Sequence, residues 1–131
     1  MKQPKTPYTQ ISNLLTTIGN PVRVQILLAI GTGEACVCHL ESLLGLRQAY
    51  ISQQLMILRK QKIISSRREG KYIYYQLLKP EIMGLIRFAG EIAGLSADAF
   101  LNQEASTCEC PKCKAEENNI STISLAIEKV N

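Results

Sequence analysis

With 131 residues, 46% of them hydrophobic and 5% aromatic with no Trp, the chain can bury one aliphatic core; this argues against two domains and for one domain over 1–95 followed by a tail over 96–131. Five cysteines are an odd number and no secretory signal opens the chain, so reduced thiols and a cytoplasmic location are expected in place of a disulfide framework. No apolar run is long enough to cross a bilayer, because Arg87 and Glu91 interrupt the best candidate, and no membrane partner is expected.

The formal net charge is +4, but it is unevenly spread. Between Leu40 and Pro80 eight cations face two carboxylates, Glu41 and Glu69, a net +6 that leaves the remainder at −2. A basic centre of this kind is the electrostatic footprint of a nucleic-acid binder, with a merely solvated basic face as the alternative.

In chain order, Ile11, Leu14, Leu15 and Ile18 recur at helical spacing and predict an amphipathic helix from Tyr8 to Gly19. Pro21 opens a second helix whose Val24, Ile26, Leu27, Leu28 and Ile30 make it nearly all apolar, hence buried. Gly31-Thr32-Gly33 breaks it. From Cys36 the chain reads as a short apolar helix, a turn at Gly45-Leu46, and a further helix in which Ile51, Leu55, Leu58 and the stem of Lys62 form the buried stripe. Ala49, Tyr50 and Gln53 then point outwards from the first turns, as the residues of a recognition helix in a major groove do. Base reading is expected from Gln48, Tyr50 and Gln53, with Arg47 and Ser52 nearer to phosphates.

After Ile64 the period changes to alternation. Ser65 to Arg68 and Lys71 to Leu77 read as two strands joined at Glu69-Gly70, where Gly supplies the positive φ of a tight hairpin. Arg67, Arg68 and Lys71 at its tip make it a wing for phosphate or the minor groove, the alternative being an ordinary solvated hairpin. Pro80 starts a last long helix to about Leu95, with Ile82, Leu85, Ile86, Ala89, Ile92 and Ala93 on its apolar side. Small residues at Ala89, Gly90, Ala93 and Gly94 suit close packing against the first helix of a second copy; packing within one subunit, or a frayed helix end, is the alternative. From Ser96 on the composition turns polar, interrupted by Cys108, Cys110 and Cys113. Ile120, Ile123, Leu125, Ile127 and Val130 suit a weak helix or a strand equally.

Four stretches in this order carry a resemblance: Gly19-Asn20-Pro21-Val22-Arg23, Cys36-Val37-Cys38-His39-Leu40, Ser52-Gln53-Gln54-Leu55 with Leu58-Arg59, and Arg68-Glu69-Gly70-Lys71-Tyr72-Ile73-Tyr74-Tyr75. Over about residues 8 to 95 the chain resembles the ArsR/SmtB family of metal-responsive winged-helix repressors. The resemblance implies a mainly α, α+β fold: a winged helix-turn-helix with a two-stranded wing, dimerised through the first and last long helices. It also implies a homodimer on a double-stranded operator palindrome, released by a metal or metalloid. Arsenite-sensing members usually add a third Cys three residues after the second, where Glu41 stands here, so a third thiolate must come from elsewhere. Members with zinc on the last helix use Asp and His, which 80–95 lacks, so that interfacial site is not carried over.

Cys36 and Cys38 would lie roughly 200° apart around a regular helix, so both can hold one ion only if the helix begins irregularly there. Taken alone, each reads as a small core residue. The C-x-x-C of Cys110 and Cys113, with Cys108, adds thiolates of the kind that wrap a soft ion. The twelve residues from Ser96 to Thr107 span up to about 40 Å, enough for the tail to reach Cys36 of the same or the partner subunit. Shared ligation is the expectation, a separate tail site or redox-only thiols the alternatives. His39, the one histidine, is expected on the helix surface, with ligation as the alternative. Thiolates select As(III), Sb(III), Cd(II), Pb(II) and Zn(II). A redox or sulfur-species sensor on the same fold is the competing function. An enzyme is not expected, for there is no Gly-rich phosphate loop, no histidine to act as base beside a nucleophile, and no thioredoxin-like strand-helix-strand pattern before the C-x-x-C.

Overall fold

The computed structural model describes residues 5–96 and Ala99. Thr6 opens the first helix, α1 (Pro7–Ile18), through a reciprocal cap: its Oγ1 accepts from the Thr9 amide at 3.2 Å while Thr9 Oγ1 accepts from the Thr6 amide at 2.9 Å. Asn20 opens α2 (Pro21–Ile30) in the same spirit, its Oδ1 accepting from the amides of Val22 and Arg23. A short strand β1 (Glu34–Cys36) runs straight into α3 (Val37–Leu44), which Gly45 ends at φ 64°. A side chain there would strain the left-handed backbone. The recognition-type helix α4 (Gln48–Lys60) follows, then β2 (Ile64–Glu69), β3 (Tyr72–Leu77) and α5 (Glu81–Ile92).

All pairings are antiparallel, in the order β1-β3-β2. The core gathers Ile26, Leu27 and Ile30 of α2, Leu40 of α3, Ile51, Leu55 and Leu58 of α4, then Ile63, Ile64, Leu77, Ile82 and Ile86. Its aliphatic character follows from the composition, and truncating a fully buried member such as Leu55 to Ala costs about 2–5 kcal/mol. This is a winged helix-turn-helix.

One strand is unforeseen and two expectations need correction. The β2–β3 hairpin is the expected two-stranded wing, and β1 adds a third strand to its sheet along β3, with Cys36 opposite Tyr74. Three residues after a Gly-rich break carry too little alternation to be read as a strand. The stem of Lys62 does not complete the α4 stripe, because the helix ends at Lys60 and Lys62 is exposed at φ 59°. That left-handed step lets the Ile63 amide donate to Leu58 O at 3.0 Å and drops Ile63 into the core instead. Helix α5 stops at Ile92, with Gly94 at φ 82°, not at Leu95. Cys108, Cys110, Cys113 and the apolar positions from Ile120 to Val130 lie outside the described residues.

Candidate nucleic-acid interface and thiol pair

Helix α4 presents its first turns outwards because Ile51, Leu55 and Leu58, at helical spacing, are pulled to the opposite side. Arg47, Gln48, Tyr50 and Gln53 are exposed and Ser52 is half-buried. Arg47 occupies the cap position without a side-chain bond to the helix, so the first amides of α4 stay available to an incoming oxyanion. The exposed face thus combines amide side chains that suit base edges with a cation and helix amides that suit phosphate.

The wing cations divide into two kinds. Arg67 Nη2 and Nε donate to the Glu34 carboxylate at 2.6 and 3.3 Å, and Nη1 donates to Glu69 at 2.7 Å. Its Cζ stands 4.8 Å from the Tyr74 ring centroid. Hydrogen bonding to Glu34 first, and to Glu69 next, pushes its pKa above the ordinary arginine range. Arg67 is therefore a staple between β1 and the β2–β3 hairpin, with its side chain still about half exposed. Arg68, whose Nε donates to Gly70 O at 3.2 Å, and Lys71, whose Nζ stands 5.4 Å from the Tyr72 centroid, keep exposed charge at the tip.

The strand-to-helix junction brings the two described cysteines together. Cys36 is extended at φ −88° and ψ 165°, and its Sγ caps α3 by accepting from the His39 amide at 3.3 Å. Cys38 sits inside the first turn, and the two Sγ atoms are 2.7 Å apart. The regular-helix separation is thus removed by placing one cysteine before the helix. Cys36 is buried against Tyr74, while Cys38 and His39 are half-buried. A cavity of about 180 Å³ is lined by Cys36, Val37, Cys38, Gln48, Lys71, Tyr72 and Ile73. The thiols therefore share one space with the start of α4 and the tip of the wing. Among the described residues no third His, Cys, Asp or Glu completes a metal cluster. The donors fit a soft ion as two of its ligands.

Sequence reasoning missed Glu34 and Tyr74. Glu34 lies 33 residues from Arg67, and only the unforeseen strand brings them together. Tyr74 stood out in the sequence only as one position of the alternating run from Lys71 to Leu77.

A family model described as "Bacterial regulatory protein, arsR family" matches residues 20–66, from the α2 cap to the third residue of β2. The biofilm growth-associated repressor of Agrobacterium fabrum is 38% identical over 78 residues, which is 60% of this chain and 67% of that one. The chain belongs to the ArsR/SmtB family of bacterial regulators. A transcriptional repressor SmtB homolog of Synechocystis is 32% identical to this ArsR-family chain over 78 residues, again 60% of it and 59% of the relative. The solved structure of NolR from Sinorhizobium fredii superposes with TM-score 0.60 at 31% identity, covering 72% of this chain and 100% of that one. The family is one of DNA-binding transcriptional regulators, which are not enzymes. Among the described residues no helix of this ArsR-family chain is long and apolar enough to cross a membrane.

Proposed function

We propose that this chain is a cytoplasmic homodimeric repressor that holds a double-stranded operator through α4 and the wing. It leaves the operator when a soft metal or metalloid binds Cys36 and Cys38. The observation that carries the reading is the pair of Sγ atoms 2.7 Å apart in one cavity with Gln48 and Lys71. An ion there forms bonds to thiolate sulfur and so restrains the two cysteines together. Because Cys36 is the α3 cap, any turn of its side chain towards an ion weakens the bond from the His39 amide and loosens the start of the helix-turn-helix. Gln48 and Lys71, which line the same cavity, are then displaced from their DNA-facing positions without a long relay. As(III), Sb(III), Cd(II), Pb(II) and Zn(II) are the candidate inducers, with Cys108, Cys110 and Cys113 of the 96–131 tail completing the ligand set.

The homodimer rests on apolar surface that a single chain leaves uncovered. Tyr8, Ile11 and Leu15 of α1 and Phe88 and Ile92 of α5 are all exposed, beside an apolar groove of about 380 Å³ whose lining includes Leu15, Leu28, Leu85 and Leu95. A twofold pairing of these helices would bury it.

The test is operator affinity under strict reduction, with and without As(III) or Cd(II), for wild type, Cys36→Ser and Cys38→Ser. Release of both variants as readily as wild type would remove the thiol pair from the mechanism. A second reading, a redox or sulfur-species switch, is favoured by the same short Sγ–Sγ approach, which suits a bond between the sulfurs as well as an ion. Release by oxidant, with no response to metal in the reduced protein, would select it.

A further inference from the structure

One guanidinium ties the helix bearing the apolar face to the helix that reads DNA. Arg23, in the first turn of α2, donates from Nη1 to Thr17 O in the last turn of α1 at 2.7 Å and from Nε to Gln54 Oε1 of α4 at 2.9 Å. Its backbone is held as well, the amide donating to Asn20 Oδ1. Thr17 is itself fixed, its Oγ1 donating to Asn13 O at 2.8 Å. Both partners are buried, Gln54 at 8% exposure and Thr17 at 9%. The cation also complements the negative end of the α1 dipole.

Neither the core nor the DNA face explains this bridge. The contacts of Ile51, Leu55 and Leu58 that seat α4 are apolar and without direction, so they allow the helix to roll about its axis. A charge-assisted hydrogen bond is directional and does not. Gln54 lies about 100° around α4 from Gln53, and Gln54 is buried while Gln53 is exposed. With side chains reaching 5–6 Å from the axis, a 15° roll moves an outward tip by about 1.5 Å, enough to break a hydrogen bond to a base.

We infer that Arg23 is a positioning residue for sequence reading: by joining Thr17 of α1 to Gln54 of α4 it sets the roll of the recognition helix, and thereby base discrimination, without contacting DNA itself. The inference rests on the DNA-reading role proposed for α4. Because α1 also carries part of the apolar face, the same bridge would hold the two reading helices of a dimer in a fixed relation.

The experiment uses the full chain and two probes: a duplex selected by the wild-type protein from a random pool, and a shuffled duplex of the same composition. If the wild type enriches no duplex, the DNA-reading role fails before the bridge is at issue. Given enrichment, Arg23→Lys and Gln54→Leu should each reduce the selected-to-shuffled affinity ratio by about tenfold, a middling value for a coupled contact. The double variant should be no worse than either single one, and the slope of log affinity against log salt should stay at its wild-type value. Gln54→Glu, which keeps an acceptor for Arg23, should retain most of the discrimination. An affinity ratio within twofold of wild type in folded Arg23→Lys and Gln54→Leu would overturn the inference. So would an equal loss on both duplexes with a salt slope smaller by about one, which would make Arg23 a phosphate contact. If Arg23→Lys fails to fold, Gln54→Leu against Gln54→Glu decides alone.

Discussion

Two surfaces of this protein are exposed for opposite reasons. Around the start of α4 and the wing tip the exposed side chains are Arg47, Gln48, Tyr50, Gln53, Arg68 and Lys71, groups that satisfy themselves with water and whose chemistry suits phosphates and base edges. On α1 and α5 they are Tyr8, Ile11, Leu15, Phe88 and Ile92, where Ile92 is 75% and Tyr8 82% exposed. Water gives this second surface nothing in return, so only another apolar surface relieves it. The lesson is that exposure alone names no role: the polar surface should reveal itself in dependence on sequence and salt, the apolar one in dependence on protein concentration.

The largest effect should come from the apolar side. Ile92→Glu removes a large apolar contact worth about 1.5–3 kcal/mol, counted twice across a twofold axis, and adds two buried charges. Sedimentation should find a monomer at micromolar concentration, with operator affinity falling alongside; an intact dimer would break the contrast between the surfaces. Next comes the thiol pair, which shares a cavity with Gln48 and Lys71 of the polar surface. Cys38→Ser should bind operator like wild type yet lose its release by As(III) or Cd(II), a coupling of about 1–3 kcal/mol, or about 5- to 150-fold in affinity. Truncation after Thr107 should lower ion affinity measured by thiolate charge-transfer absorption, and unaltered affinity would detach the tail from the site.

On the polar side the effects are smaller and specific. Gln53→Ala should relax preference at one base pair by about 1–3 kcal/mol, and uniform weakening of every sequence would remove it from base reading. Smallest of all, Arg68→Ala and Lys71→Ala should each reduce the salt slope by about one unit. Arg67→Ala, by contrast, should leave that slope alone, since its guanidinium is held by Glu34 and Glu69. Measuring the three slopes side by side tests whether the wing cations divide in this way.

Most of the fold was legible because it is written in local periods. The spacing of Ile51, Leu55 and Leu58, the Pro21 start of α2, and Gly70 between alternating runs each act within a few residues. The corrections arise where distance or brevity hides the cause. Strand β1 exists because β3 offers it an edge, not because Glu34, Ala35 and Cys36 have a pattern of their own. Lys62 takes a conformation usually reserved for glycine, at about 1–2 kcal/mol, because Ile63 gains a place in the core. The sequence foresaw that Cys36 and Cys38 needed an irregular helix start to meet. It could not foresee that Arg67 spends its charge 33 residues away, or that Arg23 reaches Gln54 across 31.

In β3, Tyr74 stands on a single rung between Cys36 on one side and Arg67 on the other. That makes β3 an inner strand only so long as β1 stays beside it. Pull Cys36 away and residues 74–76 acquire an open edge, with backbone groups that water can reach. Deuterium uptake at those amides is therefore a clock for the junction: slow while β1 is seated, faster for each opening, and readable one peptide at a time with no DNA in the tube.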